Sequence, residues 1–202
     1  MTASRNLVET QKTMPEIPVL KTKRLHLRAA RIEDAPAIQK YFNNFEIIKY
    51  IGNDIPWPYP ENGAETFLND MLEKMKTQEI YLWAITLLED PEHCIGLIEY
   101  RFTDKSDNRG FWLAEPFHAQ GLMSEAVATT QDFIFFELGK DRIIVRNAKS
   151  NKGSRKVKIK NGAELVGRTP CAYLSGDTQD EIWQITKQRW AEIRKNQIGA
   201  VL

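Results

Sequence analysis

The sequence predicts one α/β domain, and three observations carry that expectation. Its 202 residues are 42% apolar and 27% charged and contain no long low-complexity segment, which is enough to build one sizeable core. The hydrophobic pattern switches between period two and a period of about 3.6, so strands and helices interleave. A strand, a long helix and a strand follow one another in mid-chain, an order that favours a right-handed crossover and parallel pairing of the two strands.

Residues 1–19 read as an N-terminal extension without strong periodicity, and residues 20–202 as the domain. The extension lacks the continuous apolar core of a signal peptide, and no later run approaches about 20 apolar residues. The expectation is a cytoplasmic protein with no membrane segment. Arg24 to Ala30 alternates Leu25, Leu27 and Ala29 with polar neighbours, as a half-buried strand does. Asp34 offers an N-cap, Pro36 fits the first turn, and Ala37, Ile38, Tyr41 and Phe42 form the apolar face of a first helix. After the proline-rich IPWPYP, the residues Ala64, Phe67, Leu68, Met71, Leu72 and Met75 recur at helical spacing and predict a second.

The period then changes. YLWAITL at 81–87 and HCIGLIEY at 93–100, separated by the turn EDPE, read as an antiparallel hairpin, and the polar TDKSDN leads to the short strand GFWL. From Gly121 a stripe of Met123, Ala126, Val127, Thr130, Phe133, Ile134 and Leu138 predicts the long helix, ended by Gly139. RIIV at 142–145 is the next strand. VKIK at 157–160 alternates like a strand, but the start at Asn151 and the stop at Asn161 and Gly162 favour a helix over 154–161. Strands at 164–167 and 181–186 complete the order.

Charge and cysteine content narrow the function. Lys plus Arg total 28 against 27 Asp plus Glu, so no global basic field supports nucleic-acid binding, and no helix-turn-helix or RNP-like motif occurs. Cys94 and Cys171 are too few for a disulfide framework and stand in no metal-ligand spacing; both are expected as buried thiols. No metal is expected.

The most informative stretch runs from Gly110 to Leu138. GFWL gives way to FHAQGLMSEA and then to the long helix, placing a glycine turn between a strand and a helix N-terminus. There, unpaired N–H groups and the helix dipole can hold a phosphate. By itself such a turn is more often a plain connection. With the element order around it, the chain resembles the GNAT superfamily of acyl-CoA-dependent N-acetyltransferases over about residues 20 to 187. The resemblance implies the order βααβββαβαββ, with a mixed, largely antiparallel central sheet of about seven strands and helices on both faces. GFWL, QGLMSEA and the run Asn151, Lys152, Gly153, Ser154 are similar, in the same order, to the pattern of ribosomal-protein alanine N-acetyltransferases.

The resemblance implies acetyl-CoA as cosubstrate and assigns residues to it. The pyrophosphate turn corresponds to His118, Ala119, Gln120, Gly121, Leu122 and Met123, followed by Ser124. His118 replaces Gln or Arg, Ala119 stands where Gly is frequent, and Met123 replaces a small residue but keeps its backbone N–H. Phe111, Trp112 and Leu113 match the strand whose edge pairs with the pantetheine arm and polarises the thioester carbonyl. Asn151 matches a coenzyme-contacting asparagine. The cluster Lys152, Arg155, Lys156, Lys158 and Lys160 reads as a solvated face, or as a contact for the 3′-phosphate with Arg155 and Lys156 best placed.

An amine attacking a thioester must be neutral and within reach, the oxyanion needs a donor, and the leaving thiolate benefits from a proton. For that proton the resemblance points to Ser154 or Tyr173. Many relatives carry a basic Glu two residues before the glycine of the aromatic strand, but here that residue is Asn108, and Glu99 on the preceding strand is the substitute. A peptide α-amine titrates near 7.7 to 8.0 and lysine near 10.4, so neutral lysine is about 3.4 kcal/mol harder to obtain. The expected acceptor is therefore a protein or peptide N-terminal α-amine, with Trp57 and Tyr59 lining its groove or stiffening a proline-rich loop. A small-molecule amine acetyltransferase acting on a polyamine, aminoglycoside or amino acid is the alternative, and an acyl-CoA-binding module without turnover a further one. Either a monomer or a homodimer is compatible with the sequence.

Overall fold

The computed structural model describes residues 16–52, 55–103 and 107–199. In chain order the elements are β1 (Leu20–Lys21), β2 (Leu25–Ala29), α1 (Ala35–Phe42), α2 (Phe45–Ile48), α3 (Gly63–Lys76), β3 (Ile80–Leu87), β4 (Gly96–Arg101), β5 (Arg109–Leu113), α4 (Leu122–Asp132), β6 (Arg142–Ala148), α5 (Lys152–Lys160), β7 (Glu164–Pro170), β8 (Gln179–Thr186) and α6 (Lys187–Gly199). A π-helical turn over Phe133–Glu137 extends α4. Its wider winding turns Phe133, Ile134 and Phe135 inward together, and all three are buried.

The strands form two antiparallel sheets, one ordered β1-β2-β3-β4-β5 and the other β6-β8-β7. Ile98 pairs with Phe111, Leu97 with Trp112, and Glu99 with Gly110 across the β4 and β5 ladder. Side chains alternate between faces along a strand, so Ile98 and Phe111 look one way while Leu97, Glu99 and Trp112 look the other. Tyr81, Trp83, Ile98 and Tyr100 pack with α4 and the second sheet, whereas Leu82, Ala84 and Leu97 pack with Ile38 and Phe42 of α1 and Leu68 of α3. Each face of the larger sheet therefore has its own core. A fully buried leucine such as Leu68, 0% exposed, adds about 1.5–3 kcal/mol relative to an exposed one.

The α/β class, the helices at 35–42, 63–76 and 152–160 and the hairpin agree with the pattern in the sequence. The expected parallel pairing of β5 with β6 does not form. No ladder joins them among the described residues, and the two sheets meet where the Asn108 N–H donates to the Ile144 carbonyl at 2.7 Å. One continuous sheet is thus replaced by five strands and three. The sequence pattern also missed α6, whose charged sequence has almost no amphipathic stripe; it is held by Trp190, 1% exposed, whose indole N–H donates to Asp132 at 2.8 Å. Cys94 is buried as expected, but Cys171 lies only half-buried beyond β7. Of the extension, residues 16–19 lie against the domain, with Trp83 donating to the Pro18 carbonyl at 2.9 Å, and residues 1–15 fall outside the described residues.

Candidate functional site

The separation of β5 from β6 leaves a strand edge open. Along β4 and β5 the bonded pairs alternate, and the ladder's ends are marked by Arg101 N–H to Asn108 at 2.8 Å and Ala114 N–H to Ile95 at 2.8 Å. The residues between them that bond to β4 are then Gly110 and Trp112, while Arg109, Phe111 and Leu113 turn their backbone groups toward β6. Trp112, expected among the edge residues, spends its backbone on Leu97 and packs its indole 5.1 Å from the Phe42 ring. The edge that faces β6 belongs to Phe111 and Leu113. His118, expected at the turn, binds the same edge: its Nε2 lies 2.7 Å from the Leu113 carbonyl, and since that oxygen only accepts, Nε2 carries the proton.

Beyond β5 the chain turns through Ala119 at φ +60° and Gly121 at φ +80° into α4. Such left-handed conformations suit Gly121 and strain Ala119. The N–H groups of Leu122, Met123 and Ser124 precede any intrahelical acceptor, and Glu125 is the first to bond back, to Gly121 at 3.1 Å. The Met123 and Leu122 side chains go into the core, so the site can use only their backbone. The Gln120 side chain donates to Pro116 at 3.0 Å. Arg24 spans the turn, donating to the Gln120 carbonyl at 3.0 Å and pairing with Glu125 at 2.7 Å. Burial tends to raise the Glu125 pKa, but hydrogen bonds from Thr22 and Arg24 outweigh it and hold that carboxyl below its usual range. A β-carbon added at Gly121 would sit 3.7 Å from Arg24 Nη2 and 4.0 Å from Lys160 Nζ. Two cations and three amides without a partner among the described residues thus surround the turn.

On the far side of the gap, the Asn151 side chain caps α5, accepting from the Ser154 N–H at 3.0 Å. Ser154 Oγ accepts from Lys158 Nζ at 2.6 Å, and that ammonium lies 5.3 Å from the centre of the Phe111 ring. Lys158 is 1% exposed, which overturns its assignment to a solvated face. Burial first, then the charge of Arg109, pushes it down to about 7. Arg155 turns toward β8, 3.7 Å from Glu181 and against the Trp183 ring, while Lys156 is exposed. The lysine next to the turn is Lys160 instead. The Tyr173 hydroxyl is given to Asp180, and burial together with that carboxylate drives its pKa well above the usual phenol value.

Glu99 lies on the opposite face of the sheet from Phe111. Its carboxylate crosses over Gly110, where an added β-carbon would stand 2.5 Å from Oε1, and Arg101 lies 3.3 Å away. Burial raises its pKa, with Asp107 adding to the effect and Arg101 and Lys74 opposing it. On that same α1 and α2 side a groove of about 480 Å³ is walled by Phe45 and Trp57, with Lys40, Asn44 and Glu115 at its rim. Tyr59 is not part of its lining; the ring covers Gly63 and meets Phe42 edge-on at 5.2 Å.

The sequence reading missed Arg24 and the burial of Lys158. Lys158 had a signal, since Ser154 and Lys158 stand four residues apart on a helix and share a face. Arg24 had none, lying 96 residues from the turn it braces.

A free strand edge accepts an extended, amide-bearing arm as a further strand, and the amide turn at its end accepts phosphates. The class that this arrangement fits is a coenzyme A-dependent acyltransferase. Residues 24–164 match the family model described as an acetyltransferase (GNAT) domain, and the chain belongs to that family. It is an acetyl-CoA-dependent N-acetyltransferase, and among its described residues no group of three or more candidate metal ligands occurs. It is 26% identical over 173 residues to an uncharacterised N-acetyltransferase, YnaD, of Bacillus subtilis, covering 84% of this chain and 97% of that protein. The fold is similar to that of a ribosomal-protein-S5-alanine acetyltransferase from Vibrio fischeri (TM-score 0.71, 18% identity, 86% and 98% of the two chains). It is also similar to the ribosomal L7/L12 alpha-N-protein acetyltransferase RimL in complex with coenzyme A (TM-score 0.70, 18% identity, 84% and 97%). No helix among the described residues is long and apolar enough to cross a membrane.

Proposed function

We propose that the acceptor is the α-amine of a protein or peptide N-terminus, acetylated by direct attack within a ternary complex. The observation that supports this reading is that Glu99 faces the α1 and α3 side of the sheet, whereas Phe111 faces the other, where the Lys158 ammonium bonded to Ser154 lies 5.3 Å from its ring. An amine entering from the groove side has its base there, and the leaving group has its acid across the strand.

Bound acetyl-CoA supplies an acetyl group activated as a thioester. Phe111 and Leu113 offer the free edge for its pantetheine arm and a backbone donor for the carbonyl oxygen. The amides of Leu122, Met123 and Ser124, with Arg24 and Lys160 beside them, hold the pyrophosphate. Glu99 receives the amine's proton, and Ser154 gives one to sulfur. Tyr173, committed to Asp180, is the weaker donor of the two.

Burial raises the Glu99 pKa against the pull of Arg101, but a carboxylate is still a modest base for an ammonium, and Asn108 supplies none. A modest base favours the amine that loses its proton most readily, and an α-amine does so about 2.5 pH units below lysine. The groove walled by Phe45 and Trp57, and the likeness to acetyltransferases of ribosomal proteins, support a peptide acceptor. The test is an acceptor panel with thiol release as readout: peptides with free N-termini, the same peptides N-terminally blocked but carrying lysine, and small amines. Free N-termini are expected to react at least tenfold faster. Rapid acetylation of internal lysines or of polyamines, with none of peptide N-termini, would sink the assignment.

A further inference from the structure

Lys158 is an unusual group to find inside this fold. Nothing in the chemistry of a coenzyme A-binding edge demands an ammonium there, and taking one out of water is costly unless it is paired. Among the described residues its only hydrogen bond runs from Nζ to Ser154 Oγ, 2.6 Å away. No carboxylate among the described residues bridges it. Arg109 of β5, Asp107 just before it, and Asp180 and Glu181 of β8 face it, but each carboxylate is engaged elsewhere. Asp107 pairs with Arg101 at 3.2 Å; Asp180 takes the Tyr173 hydroxyl and lies 3.6 Å from Arg146; Glu181 lies 3.7 Å from Arg155 and 3.5 Å from Arg168.

We propose that Lys158 is a positioning residue for Ser154: its ammonium donates to the serine oxygen, turns the hydroxyl proton outward toward the departing sulfur, and replaces that proton once it has left. The inference rests on the acetyl-transfer reading above. As the amine nitrogen bonds to the acetyl carbon and the C–S bond breaks, the electron pair leaves on sulfur. Ser154 then protonates the sulfur, and Lys158 reprotonates Ser154. The proton shed by the nitrogen restores Lys158 by way of Glu99 and water. The sum is R-NH3⁺ plus acetyl thioester giving the amide, the free thiol and one H⁺.

The geometry explains why a serine can serve as the donor. An isolated hydroxyl is a poor acid, but one whose oxygen is held by an ammonium gives up its proton without becoming a bare alkoxide. Burial and the charge of Arg109 also make Lys158 a stronger acid than an ordinary ammonium, which favours the relay.

The test uses the full chain, wild type and the variants Lys158→Met, Ser154→Ala and the double variant, with Lys158→Gln as a second neutral form should the methionine protein not fold. In the free protein carrying ¹³C-labelled lysine, one side chain is expected to titrate near neutrality, to vanish in Lys158→Met and to shift in Ser154→Ala. With acetyl-CoA and the best peptide, wild-type kcat should fall above neutral pH as Lys158 loses its proton. Each single variant should lose that limb and about 10–100-fold in kcat at pH 7, and the double variant should be no worse than the worse single one. Acetyl-CoA affinity by calorimetry should stay within about threefold throughout. The dyad is overturned if no lysine titrates below about pH 9, if the alkaline limb survives in Lys158→Met, or if the two losses multiply. Failure of the wild type to bind acetyl-CoA would remove the underlying transfer reading instead, and the calorimetry distinguishes that outcome.

Discussion

Asn108 and Ile144 clasp each other across the two sheets: the Asn108 N–H donates to the Ile144 carbonyl at 2.7 Å, and the Asn108 side-chain oxygen accepts from the Ile144 N–H at 3.0 Å. The side-chain amide also donates to the Thr103 carbonyl at 2.9 Å. A position that looked like a base lost from the site is the joint at which β5 and β6 begin to part.

Asn108→Ala removes the acceptor of a partly buried N–H and should destabilise the protein by about 1–3 kcal/mol in urea unfolding. Because the joint sets the gap, acetyl-CoA affinity should fall as well, by about tenfold or more in calorimetry. Unchanged stability and affinity would show that the joint is dispensable.

Gly121→Ala tests the turn without a clash, since its β-carbon meets nothing closer than 3.7 Å. At φ +80° an alanine carries left-handed strain of about 1–2 kcal/mol. The expected result is a small loss of melting temperature with a larger loss of acetyl-CoA affinity, as the amides shift from their directions.

Glu99→Gln should lower kcat by about 10²- to 10⁴-fold while leaving acetyl-CoA binding intact. Burial raises the folded-state pKa of Glu99, so its contribution to stability is present below its unfolded value and is lost as pH rises through the folded one. The glutamine protein should therefore be no less stable than wild type at pH 7. Gly110→Ala, which displaces the same carboxylate, should show a milder form of the kinetic defect. A stable Glu99→Gln enzyme with wild-type kcat would remove the base.

Lys158→Met has an equilibrium signature that needs no substrate. The folded-state pKa is lowered to about 7 from 10.5, so the unfolded chain binds the extra proton between those values and wild-type stability rises with pH across that window. The methionine variant should exceed wild type by a few kcal/mol below pH 7, and the excess should fade toward pH 10. Urea unfolding at pH 6, 8 and 9.5 reads this directly.

Trp57→Ala should raise peptide KM by about tenfold, equivalent to about 1.4 kcal/mol, because the exposed indole walls the groove against Phe45 at 5.3 Å. The melting temperature should barely move. An unaltered KM would assign the ring to the stiffness of its loop.

The local vocabulary of the fold was readable from residue order. Leu25 and Leu27, the spacing of Ala64 and Leu68, and the Met123 to Ile134 stripe each state their own period, and the turn at Gly121 announces itself between a strand and a helix. What escaped was the unpatterned and the distant. α6 is anchored by Trp190 and Ile193 and by the bonds of Arg189 to Gly162 and Arg194 to Asp132, and has no stripe to read. The basic cluster of α5 looked uniform, yet the exposed Lys156 and the buried Lys158 stand two residues apart, on opposite sides of the helix.

The sequence by itself determined the family, the order of the patterned elements and the place of the glycine turn, because these depend on short-range spacing. Tertiary structure alone decided which side chains meet in the gap. It gave Asn108 to Ile144, Tyr173 to Asp180, Arg24 to the turn and Lys158 to Ser154. The physical reason is that a titratable side chain acquires its chemistry from burial and from neighbours that chain order does not specify.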